Sequence, residues 1–253
     1  MQASWLCGRD GVGTPSSWKE HPLQQTPIVL VPGLICTAEA FAPQVLALWP
    51  HGPVTIANTT RGDSIAEMAA NILATAPPRF AVGGISMGGY LCFEIFRQAP
   101  DRVLKLALID TSARPDSAAQ TAFREARIAE TEAGRFEAVM VAQFPIVVDP
   151  SHVDDPALKA IHLGMARTIG LEGYVRQQRA IIGRPDSRPT LAAIKVPTVV
   201  IVGEKDQLTP PELSREMAQG IAGAQLVVIP QSGHMSTREQ PERVNAALVK
   251  WLS

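Results

Sequence analysis

"RFAVGGISMGGY", residues 79–90, decides how the rest of the chain is read. Its texture changes half-way. Residues 79–86 are apolar and of strand length, whereas "GGYLCFEIFRQAP", 88–100, reads as a helix stopped by Pro100. Between them Gly84-Ile85-Ser86-Met87-Gly88 fits G-x-S-x-G. Four glycines crowd one serine, although glycine loses more backbone entropy on folding than any other residue. A serine on a sharp strand-to-helix turn explains the composition. The turn forces the serine into an unfavourable backbone region, and larger flanking residues would strike the adjoining strand and helix. The hydroxyl then projects above a sheet, beside a helix N-terminus whose free N–H groups favour negative charge. Ser86 is the candidate nucleophile.

A serine hydroxyl attacks well only when a base removes its proton and a third group orients that base. Five histidines are available. His21 lies in an irregular lead-in, His51 in a loop, and His152 and His162 in a helical stretch. His234, in "PQSGHMS", follows directly on a strand run and belongs to a loop leaving the carboxyl edge of the sheet, where Ser86 is expected. Two aspartates end strand runs in the same way: Asp206 after "TVVIVGEKD" and Asp110 after "LKLALID". Either gives the chain order Ser, Asp, His. Asp206 is preferred because "QLTPP" follows it as a loop opening a helix, leaving the carboxylate free to cross the edge. Asp110 is the alternative, with a turn or cap role as its structural reading.

Working outward, strand runs occur at 27–33, 53–58, 79–86, 103–110, 196–206 and 224–230, with helical patterns between them. This alternation predicts an α/β fold with a mostly parallel central sheet and helices on its two faces. From about 111 to 190 strand runs give way to amphipathic helical stretches, an excursion from the sheet between two strands. The expected organisation is a lead-in over 1–26, a core over 27–110 and 191–253, and a helical segment over 111–190.

Composition narrows the chemistry. The 253 residues carry a formal net charge of −1 with no long run of either sign, which argues against nucleic-acid and membrane-surface partners. Cys7, Cys36 and Cys92 form no CxxC pair, so neither a zinc site nor a disulfide framework is expected. No run has the length of a signal or membrane segment, and the cytoplasm is the expected compartment. Cys36 and Cys92 read as small apolar fillers. The oligomeric state is not legible.

In the order "LVPGL", "GGISMGGY", "VGEKDQLTP" and "SGHMS", the chain from Pro27 to Leu252 resembles the α/β-hydrolase superfamily in its serine-nucleophile branch. It is most similar to the small esterases, enol-lactone hydrolases and cofactor-free perhydrolases. The resemblance implies Ser86 as nucleophile, Asp206 as acid and His234 as base. It implies an oxyanion hole from the backbone N–H groups of Leu34 and Met87, with Pro32 standing where many relatives have histidine. Residues 111–190 would be the helical cap, with Ile35, Phe136, Met140 and Phe144 as candidate substrate contacts and Phe123 as a further inner-face candidate. The implied reaction is hydrolysis of a small ester or lactone without metal or organic cofactor. Alternatives on the same fold are C–C, thioester or perhydrolysis chemistry, and a ligand receptor with a slow triad.

Overall fold

The structure, a computed structural model, describes residues 25–253. Residues 1–24 of the lead-in, with Cys7 and His21, lie outside the described residues.

Six strands form one sheet, all parallel: β1 (Ile28–Val31), β2 (Val54–Ile56), β3 (Phe80–Ile85), β4 (Val103–Ile109), β5 (Thr198–Gly203) and β6 (Gln225–Ile229), in spatial order β2-β1-β3-β4-β5-β6. Each falls within a strand run of the sequence. The helices are α1 (Ala42–Leu48), α2 (Ile65–Thr75), α3 (Met87–Gln98), α4 (Ala118–Glu130), α5 (Phe136–Val147), α6 (Pro156–Ile182), α7 (Arg188–Leu191), α8 (Pro211–Gly220), α9 (Ser236–Glu239) and α10 (Pro241–Leu252).

Strand side chains alternate between faces, so each strand feeds two cores. Val29, Val31, Phe80, Val82, Leu106, Leu108 and Val200 pack with α2, α3 and α8. Ile28, Leu30, Ala81, Ile85, Ala107, Ile109 and Ile201 pack on the other face with α1 and α10. Because the inner strands β1, β3, β4 and β5 are covered on both faces, they read as continuous apolar runs, whereas the edge strands β2 and β6 keep exposed residues.

From β1 the chain moves outward to β2, then crosses back to place β3 on the other side of β1. The order reverses between β1 and β3, and parallel sheets open a crevice at the carboxyl ends of such strands. The turns after these two strands contain Leu34 and Ser86. Helices α4 to α7 all belong to the long connection between β4 and β5. Within it α6 is two helical pieces joined at Gly170, where φ is +72°. Among the described residues no helix is long and apolar enough to cross a membrane.

Candidate active site

Ser86 directly follows β3 and caps α3, with φ 55° and ψ −118°. A non-glycine residue rarely takes this conformation, and several bonds hold it. The Ser86 N–H donates to the Ile109 carbonyl at 3.0 Å, and the Ser86 carbonyl accepts from Gly89 N–H and from the Thr111 hydroxyl. The glycines are required by close approach. A Cβ at Gly84 would collide with the Gly88 backbone, and one at Gly88 with the Val31 carbonyl.

Three side chains from three strand ends meet here. Ser86 Oγ lies 2.8 Å from His234 Nε2, and His234 Nδ1 lies 2.8 Å from Asp206 Oδ2. An ionised carboxylate only accepts, so Nδ1 carries the imidazole proton and Nε2 is free to accept from the serine hydroxyl. Asp206 is held from below: its Oδ1 accepts from Leu208 and Thr209 N–H, and its Oδ2 from the Thr209 hydroxyl. Burial pulls the His234 pKa down, but the Asp206 charge and hydrogen bond outweigh it and hold the imidazole above its ordinary value. Burial raises Asp206, yet His234 and the Thr209 donors bring the carboxyl below its ordinary value.

Asp110 makes no hydrogen bond to His234, which pairs instead with Asp206. Asp110 is fully buried, with a strained φ of +44°. One oxygen accepts from Gly203 N–H at 2.9 Å, the other from Ser236 N–H at 3.2 Å. The carboxyl therefore ties the end of the Asp206 strand to the loop carrying His234. Burial, and then the nearby Asp206 charge, push it up to about 8.

The turn after β1 is strained at Ile35, where φ is +57°. The Ile35 N–H donates to Gln177 Oε1 at 2.9 Å, and the Cys36 N–H to the Gly33 carbonyl. Among the described residues no acceptor takes the N–H of Leu34 or of Met87, the first residue of α3. Two donors are thus left over at the crevice beside Ser86.

A cavity of about 170 Å³ lies over these groups, mostly apolar, between the sheet edge and α4, α5 and α6. Of the residues singled out as substrate contacts or inner-face candidates, Ile35 and Phe123 line it. Phe136, Met140 and Phe144 do not, which corrects the sequence expectation. On α5 the residues that reach the cavity are Val139, Ala142, Gln143, Ile146 and Val147, at i, i+3, i+4, i+7 and i+8. Met140 belongs to a buried cluster with Phe136 and Tyr174 between helices of the insertion, while Phe144 belongs to the sheet-side core that includes Ile85, Ile109 and Met165, its ring 5.7 Å from that of His162. Nearly every turn of α5 is apolar, so apolarity alone could not choose its ligand face. Cys36 also lines the cavity, its thiol pushed up to about 12 by burial. His162 lines it too, but its Nε2 donates to the Met140 carbonyl at 3.1 Å. His152 pairs with Glu239 at 3.0 Å.

Two supporting residues carried no sequence signal. Glu239 Oε1 accepts from Gly233 and Met235 N–H on either side of His234, and its Oε2 from Asp149 N–H. Gln177, wholly buried, holds Ile35 through its oxygen while its amide nitrogen donates to the Thr59 carbonyl. A lone glutamine in a long amphipathic helix does not announce such a role.

A model of the alpha/beta hydrolase family matches residues 28–247. The chain belongs to that family. It is 30% identical to a thermophilic esterase from Thermogutta terrifontis, over 90% of this chain and 89% of that one, with a TM-score of 0.79. It is 28% identical to an enol-lactonase from Burkholderia xenovorans, over 90% and 91%, with a TM-score of 0.81. A curated relative from Variovorax paradoxus, named "Putative carbamate hydrolase RutD", is 28% identical over 94% of this chain and 96% of its own length. The family and its esterase and lactonase neighbours make the chain a hydrolase. Among the described residues no cluster of His, Cys, Asp and Glu is arranged to hold a metal ion.

Proposed function

We propose that the protein is a serine hydrolase that cleaves a small carboxylic ester or lactone through an acyl-enzyme intermediate. The observation that carries this reading is the chain from Ser86 Oγ to His234 Nε2 and from His234 Nδ1 to Asp206, each link 2.8 Å. Ser86 attacks the carbonyl carbon while His234 Nε2 takes its proton. The carbonyl oxygen becomes an oxyanion and accepts from the unoccupied N–H groups of Leu34 and Met87. His234 returns the proton to the leaving alcohol, the C–O bond breaks, and the acyl group remains on Ser86. Water, deprotonated by His234, then attacks the acyl-enzyme and regenerates the serine. Asp206 stabilises the imidazolium throughout. The chemistry asks for no metal or organic cofactor.

Residues 111–190 act in this reading as a cap over a core of 27–110 and 191–253. The small apolar cavity suits a short acyl group. A carbamate would pass through the same steps, and the Variovorax relative makes it the second substrate class to test.

A fluorophosphonate probe should label the wild type at Ser86, and the protein should hydrolyse p-nitrophenyl butyrate. Ser86→Ala should lose the label and at least about 10³-fold in kcat, with an unchanged circular dichroism spectrum. Retention of more than about a tenth of the turnover would exclude Ser86 as nucleophile. A panel of esters, lactones, carbamates, thioesters and β-diketones then ranks the substrate classes.

A further inference from the structure

One wall of the cavity has features that a neutral ester does not use. Arg124, Arg127 and Arg238 line the cavity, and no aspartate or glutamate does. Arg124 and Arg127 are three residues apart on α4 and so share one face. Their counter-ions stand outside the lining: Arg124 Nε donates to Asp116 at 2.7 Å, and the Arg127 guanidinium pairs with Glu130 at 3.1 Å. Asp116 is buried and also receives the buried Arg184 at 2.6 Å. One carboxylate therefore serves two guanidinium groups, and positive charge is in excess where solvent screens it poorly.

A directed chain of hydrogen bonds leads to the same wall. Arginine can only donate, so the side-chain oxygen of Gln178 must face Arg124 Nη1, 2.8 Å away. The Gln178 amide nitrogen then donates to Tyr174 Oη at 2.8 Å. Tyr174 lines the cavity, and its own hydroxyl proton finds no acceptor among the described residues. Arg127 Nε also lacks an acceptor although it is shut off from solvent. Buried donors left unmatched are costly. The Arg127–Glu130 pair is about one-third exposed on each side. Such a pair contributes little, so the guanidinium can exchange it for a ligand.

We propose that this wall is a carboxylate subsite. The preferred substrates are then esters or lactones bearing a second, free carboxylate, received by Arg127 and the Tyr174 hydroxyl. Arg124 and Gln178 act as positioning residues that aim the tyrosine. The substrate assignment rests on the hydrolase reading above; carboxylate binding does not.

Two measurements test this. The first compares kcat/KM for mono-p-nitrophenyl half-esters of succinate to pimelate with neutral acyl esters of matched length. Hexanoyl 4-hydroxybenzoate against phenyl hexanoate asks the same of a carboxylate on the alcohol side. The wild type should favour the charged member of at least one pair by about ten- to hundredfold, the worth of one charge-assisted hydrogen bond. Arg127→Gln should collapse that ratio, and Tyr174→Phe should reduce it less. The second is calorimetric binding of the free acids glutarate, adipate and pimelate, with 1,6-hexanediol as neutral control; Arg127→Gln should weaken the best acid about tenfold or more. If every neutral ester matches its charged partner and no acid binds better than the diol, the subsite is overturned. If no ester turns over and Ser86 takes no label, yet an acid binds through Arg127, the hydrolase reading fails and the subsite stands.

Discussion

The carboxyl edge of the sheet and the helical insertion above it are built on different rules. At the edge, Ser86, Asp110 and Asp206 each follow a strand paired on both sides, Ile85 with Ile109 and Ile109 with Ile201, while His234 follows β6, which pairs with β5 alone. A one-residue slip would turn every side chain to the other face, so Ser86, Asp110 and Asp206 emerge from fixed points. The insertion has no such ladder. Its helices meet the core through side chains, and α5 presents two apolar faces, one toward the cavity and one toward the protein. The edge brings Ser86, His234 and Asp206 to hydrogen-bond distances; the insertion supplies a surface whose exact lining is a matter of helix rotation.

The sharpest way to break this division is at the two aspartates. Asp206→Asn should lower kcat by about 10⁴, because asparagine cannot stabilise the imidazolium and favours the wrong tautomer. Asp110→Asn should cost far less, since one of its two backbone contacts survives. The pH profile separates the roles: wild-type kcat/KM should rise through a pKa above the ordinary histidine value of 6.5, and in Asp206→Asn that limb should move down. Greater damage from Asp110→Asn would reverse the assignment.

Gln177 is where the insertion reaches into the edge. Gln177→Leu frees the strained Ile35 turn and should loosen the Leu34 donor. Losing such a donor outright costs about 10²–10³ in kcat, so a loosened one should cost roughly tenfold, with KM nearly unchanged. An effect confined to thermal stability would make Gln177 a packing residue.

Within α5 the two faces should respond oppositely. Phe144→Ala should destabilise by about 3–5 kcal/mol in urea titrations while leaving the ranking of acyl chain lengths alone. Ile146→Ala should barely alter stability but shift the ratio of kcat/KM between short and longer acyl esters by about tenfold, the scale of a hydrophobic contact. A specificity change from Phe144→Ala alone would move the pocket wall to the other face.

The smallest expected effect is a slope. An unfolded Asp110 loses its proton near 3.8, whereas the folded chain keeps it until about 8. Between those values the unfolded state binds fewer protons, so this group makes stability fall as pH rises. In Asp110→Asn the urea midpoint relative to wild type should therefore move in the variant's favour from pH 5 to pH 8. A constant difference would mean that Asp110 is ionised across that range.

The sequence by itself determined the six strands, the serine turn after β3 and the strand-end placement of His234 and the two aspartates. These are local: apolar runs, glycines and turn residues report backbone geometry within a few positions. Tertiary structure alone decided what depends on relative placement. It brought Asp206, the aspartate already preferred from its loop, to hydrogen-bond distance of His234, a bond that Asp110 does not make. It buried Phe144 and Met140 and turned Val139 and Ile146 to the cavity, because a helix apolar on two faces carries no mark of which one meets a ligand. It also brought Gln177 to Ile35 across 142 positions of chain. A single buried amide has no periodicity, so its role exists only once the fold has closed around it.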